Sequence, residues 1–362
     1  MPDDSRRRRR VLPRRPVSGR RFRPAVVGVA GATLSAEERA LFRELPPAGV
    51  ILFARNCLEP EQLEELVVEL RALFPDRRLP LFVDQEGGRV QRLRPPHWPA
   101  LPAAGTIGRL FDRDPRRGRQ AARLYARAIA ATLAAADLDV VCAPVLDLHL
   151  AETTAAIGDR SFGGDPHRVA ALGRIVCDTL LSCGIVPVIK HLPGHGRARC
   201  DSHLELPRVD ARADLLEASD FVPFRACRDA PFAMTCHCLF EALDSRHPAS
   251  LSAPIVRGVV RGRLGFCGIL LSDDLGMGAL VGSPKDRARA AWAAGSDLVL
   301  WCDGDVGRTA EVLAALPEAD TALEARLAAA LAAARRPETI AEPRDLARQL
   351  ADTISAADAR DP

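Results

Sequence analysis

Eight short apolar runs recur along the chain, separated mostly by longer amphipathic stretches, and this alternation limits the fold more than any other feature. The runs are Ala25–Gly31, Gly49–Phe53, Leu81–Asp84, Asp139–Ala143, Val186–Lys190, Ala233–His237, Ile269–Asp273 and Leu298–Leu300. Helix-like segments lie between them: SAEERALFREL, Pro60–Phe74, Arg116–Ala136, Pro166–Cys183, Asp214–Arg228, Ala253–Arg263 and Pro284–Ala294. Pro60, Pro166, Pro254 and Pro284 stand near the starts of these segments, where a missing N–H costs a helix nothing. Strands buried on both faces read as continuous apolar runs. Eight of them alternating with helices predict an α/β fold, a (β/α)₈ TIM-type barrel in a single domain. The expected organisation is an Arg-rich disordered extension over 1–24, a barrel over 25–340, and a C-terminal helix or tail over 341–362. The Ala-rich Thr321–Arg336 is expected to form a helix at the end of the barrel.

Charge separates the extension from the rest. Lysine occurs only at Lys190 and Lys285, so arginine carries nearly all positive charge. Residues 1–24 hold ten Arg and two Asp, a net +8 against +3 for the whole chain, which leaves −5 for the remainder. A mildly acidic body argues against a nucleic-acid partner. No run of about 18 apolar residues occurs, so no membrane span is expected. The Arg-rich start followed by AVVGVAGATLSA resembles a twin-arginine export signal. Cleavage there would remove the first apolar run of the barrel, so the favoured reading is an unstructured extension. The ten Cys include no CxxC pair, which argues against a zinc knuckle. Most sit in apolar runs and are expected to be buried free thiols, as suits a reducing compartment.

A barrel places active-site residues at the C-terminal ends of its strands. Polar residues gather there: Asp84 in FVDQEGGRVQR, Asp147 in CAPVLDL, Lys190 and His191 in VPVIKHLPGHG, His237 in AMTCH, and Asp273 and Asp274 in ILLSDDLGMG. By strand alternation Asp274 should point away from Asp273, and a structural role is expected for it. His195 is expected to structure its loop, and His237 is read as either buried and hydrogen-bonded or functional. The loop KHLPGHGRARCDSHLELP is the richest, with three His in thirteen residues and Asp201 two positions before His203. A metal site is one reading, but the spacing lacks the H-E-x-x-H helix pattern. An Asp–His dyad is the favoured one, because positions i and i+2 of an extended segment share a side. The carboxylate then orients an imidazole that gives and takes a proton. Asp273, two strands further on, suits a nucleophile. Together they match a retaining glycosidase in which His replaces the usual acid/base carboxylate.

The motifs GVILFARN, VDQEGGRVQR, APVLDL, IGDRSFG, KHLPGHGRARCDSH and GFCGILLSDDLGM, in this order over about residues 25–300, resemble glycoside hydrolase family 3 β-N-acetylhexosaminidases of the NagZ type. The resemblance implies a (β/α)₈ barrel with Asp273 as nucleophile, His203 as acid/base and Asp201 as its partner. It implies sugar binding by Asp84, Arg92, Arg160, Lys190 and His191. It also implies a retaining exo-β-N-acetylglucosaminidase acting on GlcNAc–anhydroMurNAc fragments, with or without peptide, in the cytoplasm. No cofactor or metal is called for, the partner is a small carbohydrate or muropeptide, and a monomer is expected. Leu192 stands where family chains often have Phe, and Gly276 where they often have Ser. Neither change removes a catalytic group. Gly87–Gly88 and Gly194–Gly196 are expected to let backbone approach the sugar or let the loop move. Competing readings are a phosphorylase or broader β-glycosidase on the same site, a metal-dependent barrel hydrolase, and a sugar-binding barrel without catalysis.

Overall fold

The computed structural model describes residues 21–335 and 341–358, and each of the eight apolar runs forms one strand in it. These are β1 (Arg23–Gly28), β2 (Pro47–Leu52), β3 (Leu81–Val83), β4 (Val140–Val141), β5 (Val186–Leu192), β6 (Phe232–Thr235), β7 (Ile269–Asp274) and β8 (Leu298–Trp301). They close into one parallel barrel in sequence order, with β8 pairing β1 through Ala25–Val299, Val26–Leu300 and Val27–Trp301. The predicted (β/α)₈ architecture is therefore the one observed.

Strand alternation divides the core in two. Val26, Ile51, Phe82, Val140, Val188, Met234, Leu271 and Leu300 face the barrel interior. Their neighbours Val27, Val50, Val83, Val141, Ile189, Ala233, Leu270 and Val299 pack outward among the helices. Phe22, Ala48, Leu323 and Leu327 belong to the interior cluster, so the helix Thr321–Ala332 and the residue before β1 stop the N-terminal end of the barrel. The ordered chain thus reaches back past residue 25: Phe22 is buried and Arg23 is already in strand. Residues 1–20 of the expected extension lie outside the described residues.

Helix starts follow capping chemistry. Ser35, Asp114, Asp165, Ser283, Asp305 and Asp320 each accept a first-turn backbone N–H, which satisfies donors the helix itself cannot. Two segments differ from expectation. Asp214–Arg228 is not one helix but two, Ala213–Ala218 and Phe221–Ala226. Pro223 has no N–H for the carbonyl four residues earlier, and the break at Ser219–Asp220 lets both side chains bond Arg197 of the loop after β5. Ile255–Arg263 winds as a wider π-helix. The helix Pro343–Asp358 packs on Pro115–Ala135, burying Leu346 and Leu350. All ten cysteines are free; seven are buried and Cys267 is exposed. No helix among the described residues is long and apolar enough to cross a membrane.

Candidate active site

Period two carries the interior stripe past the strand ends. Two residues beyond Phe82, Val188, Leu271 and Leu300 come Asp84, Lys190, Asp273 and Cys302, and all four line one pocket of ≈ 200 Å³. Arg92, Arg160, His191, Asp201 and His203 line it as well. Every residue expected at the site from sequence is thus brought to one place, at the C-terminal end of the barrel.

One wall is a buried ion network. Lys190 Nζ lies 2.9 Å from Asp84 Oδ1 and 2.6 Å from Glu86 Oε1. Arg92 donates to the other Asp84 oxygen at 3.0 Å. Arg160 grips Glu86 with two bonds of 2.7 and 2.8 Å, the paired geometry that suits guanidinium to carboxylate. Burial pushes the Asp84 carboxyl up, but Lys190 and Arg92 outweigh it and hold the group well below the usual range. Glu86 is lowered in the same way, against burial, by Arg160 and Lys190. Burial disfavours the Lys190 cation, yet Asp84 and Glu86 raise its proton affinity above normal. All three charges are therefore held on.

Local sequence explains the wall. Gln85 accepts from the N–H groups of Arg92 and Leu93 and donates to Leu93 O, stapling the hairpin Gln85–Gly87/Val90–Gln91. Tyr125, the one tyrosine of the chain, donates to Glu86 O at 2.5 Å from the helix behind. Gly87 and Gly88 have φ of 71° and 55°. A Cβ on Gly87 would lie 2.4 Å from Pro102 O, and one on Gly196 would lie 2.3 Å from Leu148 O. Close chain packing is therefore a sufficient reason for glycine at Gly87 and Gly196.

Asp147, at the end of the β4 segment, organises the next wall. Its Oδ2 takes a 2.6 Å bond from His191 Nδ1, and its Oδ1 takes the backbone N–H of His195 at 2.6 Å. Burial raises this carboxyl, but His191 more than compensates and the net shift is downward. An ionised Asp147 only accepts, so Nδ1 of His191 bears a proton. Asp273 is half-buried at the end of β7, where desolvation opposes its charge and His237 and His191 outweigh it, lowering its pKa. That keeps it an anion, as a nucleophile must be. Asp274 turns aside, as alternation predicts: its Oδ1 accepts from Gly276 N at 2.9 Å and Cys302 N at 3.1 Å. His237 is buried, bonded to Ser250 Oγ at 2.6 Å and Asp274 O at 2.9 Å.

The expected dyad forms on the loop after β5. His203 Nδ1 lies 2.7 Å from Asp201 Oδ1, which also accepts His203 N at 2.9 Å. These bonds pull the Asp201 carboxyl below its ordinary value despite its partial burial. His203 is 67% exposed, so its Nε2 is free to reach a leaving group. Among the described residues, no group of three or more His, Cys, Asp or Glu is arranged to hold a metal ion. Sequence reading left out Glu86, Ser202 and the bond role of Asp147. Glu86 had a signal, standing two residues after Asp84 on a turn that returns it to the same pocket.

The model of the glycosyl hydrolase family 3 N-terminal domain matches residues 24–336. The chain belongs to glycosyl hydrolase family 3. It is 43% identical over 310 residues to a β-hexosaminidase of Alkalilimnicola ehrlichii, covering 84% of this chain and 87% of the relative. Among family structures, NagZ from Neisseria gonorrhoeae in complex with N-trifluoroacetyl-D-glucosamine superposes with a TM-score of 0.79 at 32% identity, covering 94% of this chain and 97% of that one. A β-N-acetylhexosaminidase from Beutenbergia cavernae gives 0.72 at 28% identity, over 92% and 96%. As a family 3 member of this group, the chain is a glycoside hydrolase of β-N-acetylhexosaminidase type.

Proposed function

We propose that the protein is a retaining exo-β-N-acetylglucosaminidase that removes terminal β-linked GlcNAc from GlcNAc–anhydroMurNAc fragments, with or without peptide, in the cytoplasm. The observation that carries the mechanism is the pairing of a half-buried, anionic Asp273 with an Asp201–His203 dyad whose imidazole is exposed, around one pocket. The gonococcal relative's complex with a glucosamine derivative supports the sugar. Seven buried free thiols support a reducing compartment. The catalytic unit is the barrel, and the ion network with His191 binds the sugar hydroxyls.

In the first step an Asp273 oxygen bonds to the anomeric carbon as the glycosidic C–O bond breaks, and His203 passes its Nε2 proton to the departing oxygen. In the second, water attacks the same carbon, its proton goes to His203 Nε2, and Asp273 leaves as carboxylate. Asp201 holds Nδ1–H throughout, so the exchange is confined to Nε2. Two inversions give net retention. The test is trapping with a slow fluorinated N-acetylglucosaminyl donor, followed by peptide mass spectrometry. A sugar mass on the peptide containing Asp273 is expected. Labelling elsewhere, or equal turnover of 4-nitrophenyl β-GlcNAc and β-glucoside, overturns the assignment or the sugar preference respectively.

A further inference from the structure

The acid/base loop is tied down at one side chain that neither step uses. Within Asp201-Ser202-His203, the outer two side chains are 36% and 67% exposed, whereas Ser202 is buried at 4%. Ser202 Oγ lies 3.2 Å from Nε2 of His195, itself 2% exposed. His195 is fixed in turn: Asp147 Oδ1 accepts its backbone N–H, and the same carboxylate holds His191. A second tie runs along the backbone. Gly278 N donates to His203 O at 3.2 Å and Ala279 N to Ser202 O at 3.1 Å, joining the loop to the segment that follows Asp273.

We propose that His195 and Ser202 form a latch that seats the acid/base loop over the nucleophile, with His195 acting as a positioning residue for His203. Nδ1 of His195 is buried with no partner. A buried N–H without an acceptor is costly, so the proton sits on Nε2, which donates to Ser202 Oγ. Burial also holds the imidazole pKa down to about 4, so the ring is neutral near neutral pH. The Asp201–His203 bond lies wholly within the loop. Breaking the latch therefore leaves the dyad intact and moves it as a unit away from the leaving oxygen.

The latch rests on the reading of His203 as acid/base, and one set of assays separates the two. Full-length Ser202→Ala, His195→Leu, His195→Gln and His203→Ala are compared on a GlcNAc disaccharide and on a dinitrophenyl β-GlcNAc. Ser202→Ala and His195→Leu are expected to lose roughly 10- to 100-fold in kcat on the disaccharide, the scale of a 1 Å misplacement. The release of dinitrophenol in the first turnover is expected to change only a few-fold. His195→Gln, whose amide can donate from a similar place, is expected to recover much of the loss. A variant combining Ser202→Ala with His195→Leu is expected to be no worse than His195→Leu alone. Ser202→Ala removes a single oxygen, so it answers even where His195→Leu fails to fold. Equal losses on both substrates in Ser202→Ala, or no loss, overturn the latch. An even loss in His203→Ala overturns the acid/base reading and the latch with it. A split in His203→Ala without one in Ser202→Ala overturns the latch alone.

Discussion

The ion network beside β3 and β5 and the dyad loop both present carboxylates to the same pocket, but they are held in opposite ways. Glu86 is buried and Asp84 half-buried, each bonded to two cations that are themselves fixed by strand, hairpin or helix. Asp201 has one exposed imidazole and its own backbone. Binding a sugar before reaction needs a rigid wall, and binding energy realised through preorganised groups is lost if they move. An acid/base must meet a leaving group, let it depart, and admit water to the same place. A loop secured by a few bonds can do this and a strand end cannot. The proposed nucleophile stands with the wall: Asp273 is the strand-end residue that continues the interior stripe of β7.

The largest effect should follow from removing that fixed group. Asp273→Asn keeps the shape but not the charge, and kcat is expected to fall on the order of 10⁴-fold or more, with both good and poor leaving groups affected. Steady-state assay on the two substrate types checks it. A loss confined to poor leaving groups would place Asp273 on the proton-transfer side and erase the contrast between the wall and the loop.

The exposed partner should behave otherwise. His203→Ala is expected to cost about 10²–10⁴-fold on a natural disaccharide, the usual scale for general acid/base help. It should cost much less on an activated phenol, where a burst should appear as the second step becomes limiting. Asp201→Ala should repeat the pattern more weakly, since the imidazole remains but is poorly oriented. Rapid-mixing measurement of phenol release reads the burst directly. Its absence, with equal losses on both substrates, would remove His203 from the proton-transfer role.

How far each region was legible follows from how it is built. The barrel, its strand ends and Asp273 were legible because period two and continuous apolar runs are short-range properties. The same rule carried over to Lys190 and Asp84. By the same alternation Asp274 was expected to turn aside, and its Oδ1 bonds the backbone N–H groups of Gly276 and Cys302. Glu86 was not seen because its place depends on the hairpin turn at Gly87–Gly88 and on Tyr125 reaching it from a helix 39 residues away. The break at Ser219–Asp220 was missed because its partner, Arg197, lies on another loop. The dyad was legible from D-S-H alone, being bonded within three residues; its attachment through Ser202 to His195 was not.

Stability should divide the two regions as sharply as catalysis does. Glu86→Gln leaves Lys190 and Arg160 buried with less compensating charge, and breaking a buried pair of this kind typically costs about 3–5 kcal/mol. Asp201→Asn removes an exposed partner, where an ion pair is worth about 0–1 kcal/mol. Urea unfolding of both variants, with equal slopes, checks the comparison. Comparable midpoints would mean the network is not the rigid element.

The smallest effect tests the sign of charge at the two sites. Burial raises the Asp274 carboxyl from 3.8 to about 6. A folded-state pKa above the unfolded one means the native protein holds the proton longer. Its contribution is therefore neutral below about pH 4, turns unfavourable as pH rises through that window, and levels off above about 6. Asp274→Asn preserves an oxygen for the N–H groups of Gly276 and Cys302 and removes the charge. Its melting temperature relative to the parent protein should therefore rise between pH 4 and 6 and then stay constant. Asp201 has the opposite shift, lowered by the two bonds from His203 despite its burial. The stability it contributes is present above the unfolded pKa and is lost as pH falls through the lower folded value. Asp201→Asn should thus be less stable than the parent protein at neutral pH, with the gap closing only in strong acid. Scanning calorimetry of both variants from pH 3 to 8 reads the two slopes. If Asp274→Asn instead loses ground as pH rises, the carboxylate at the end of β7 is better solvated than its burial implies, and the strand-end wall is less closed to water than the loop that faces it.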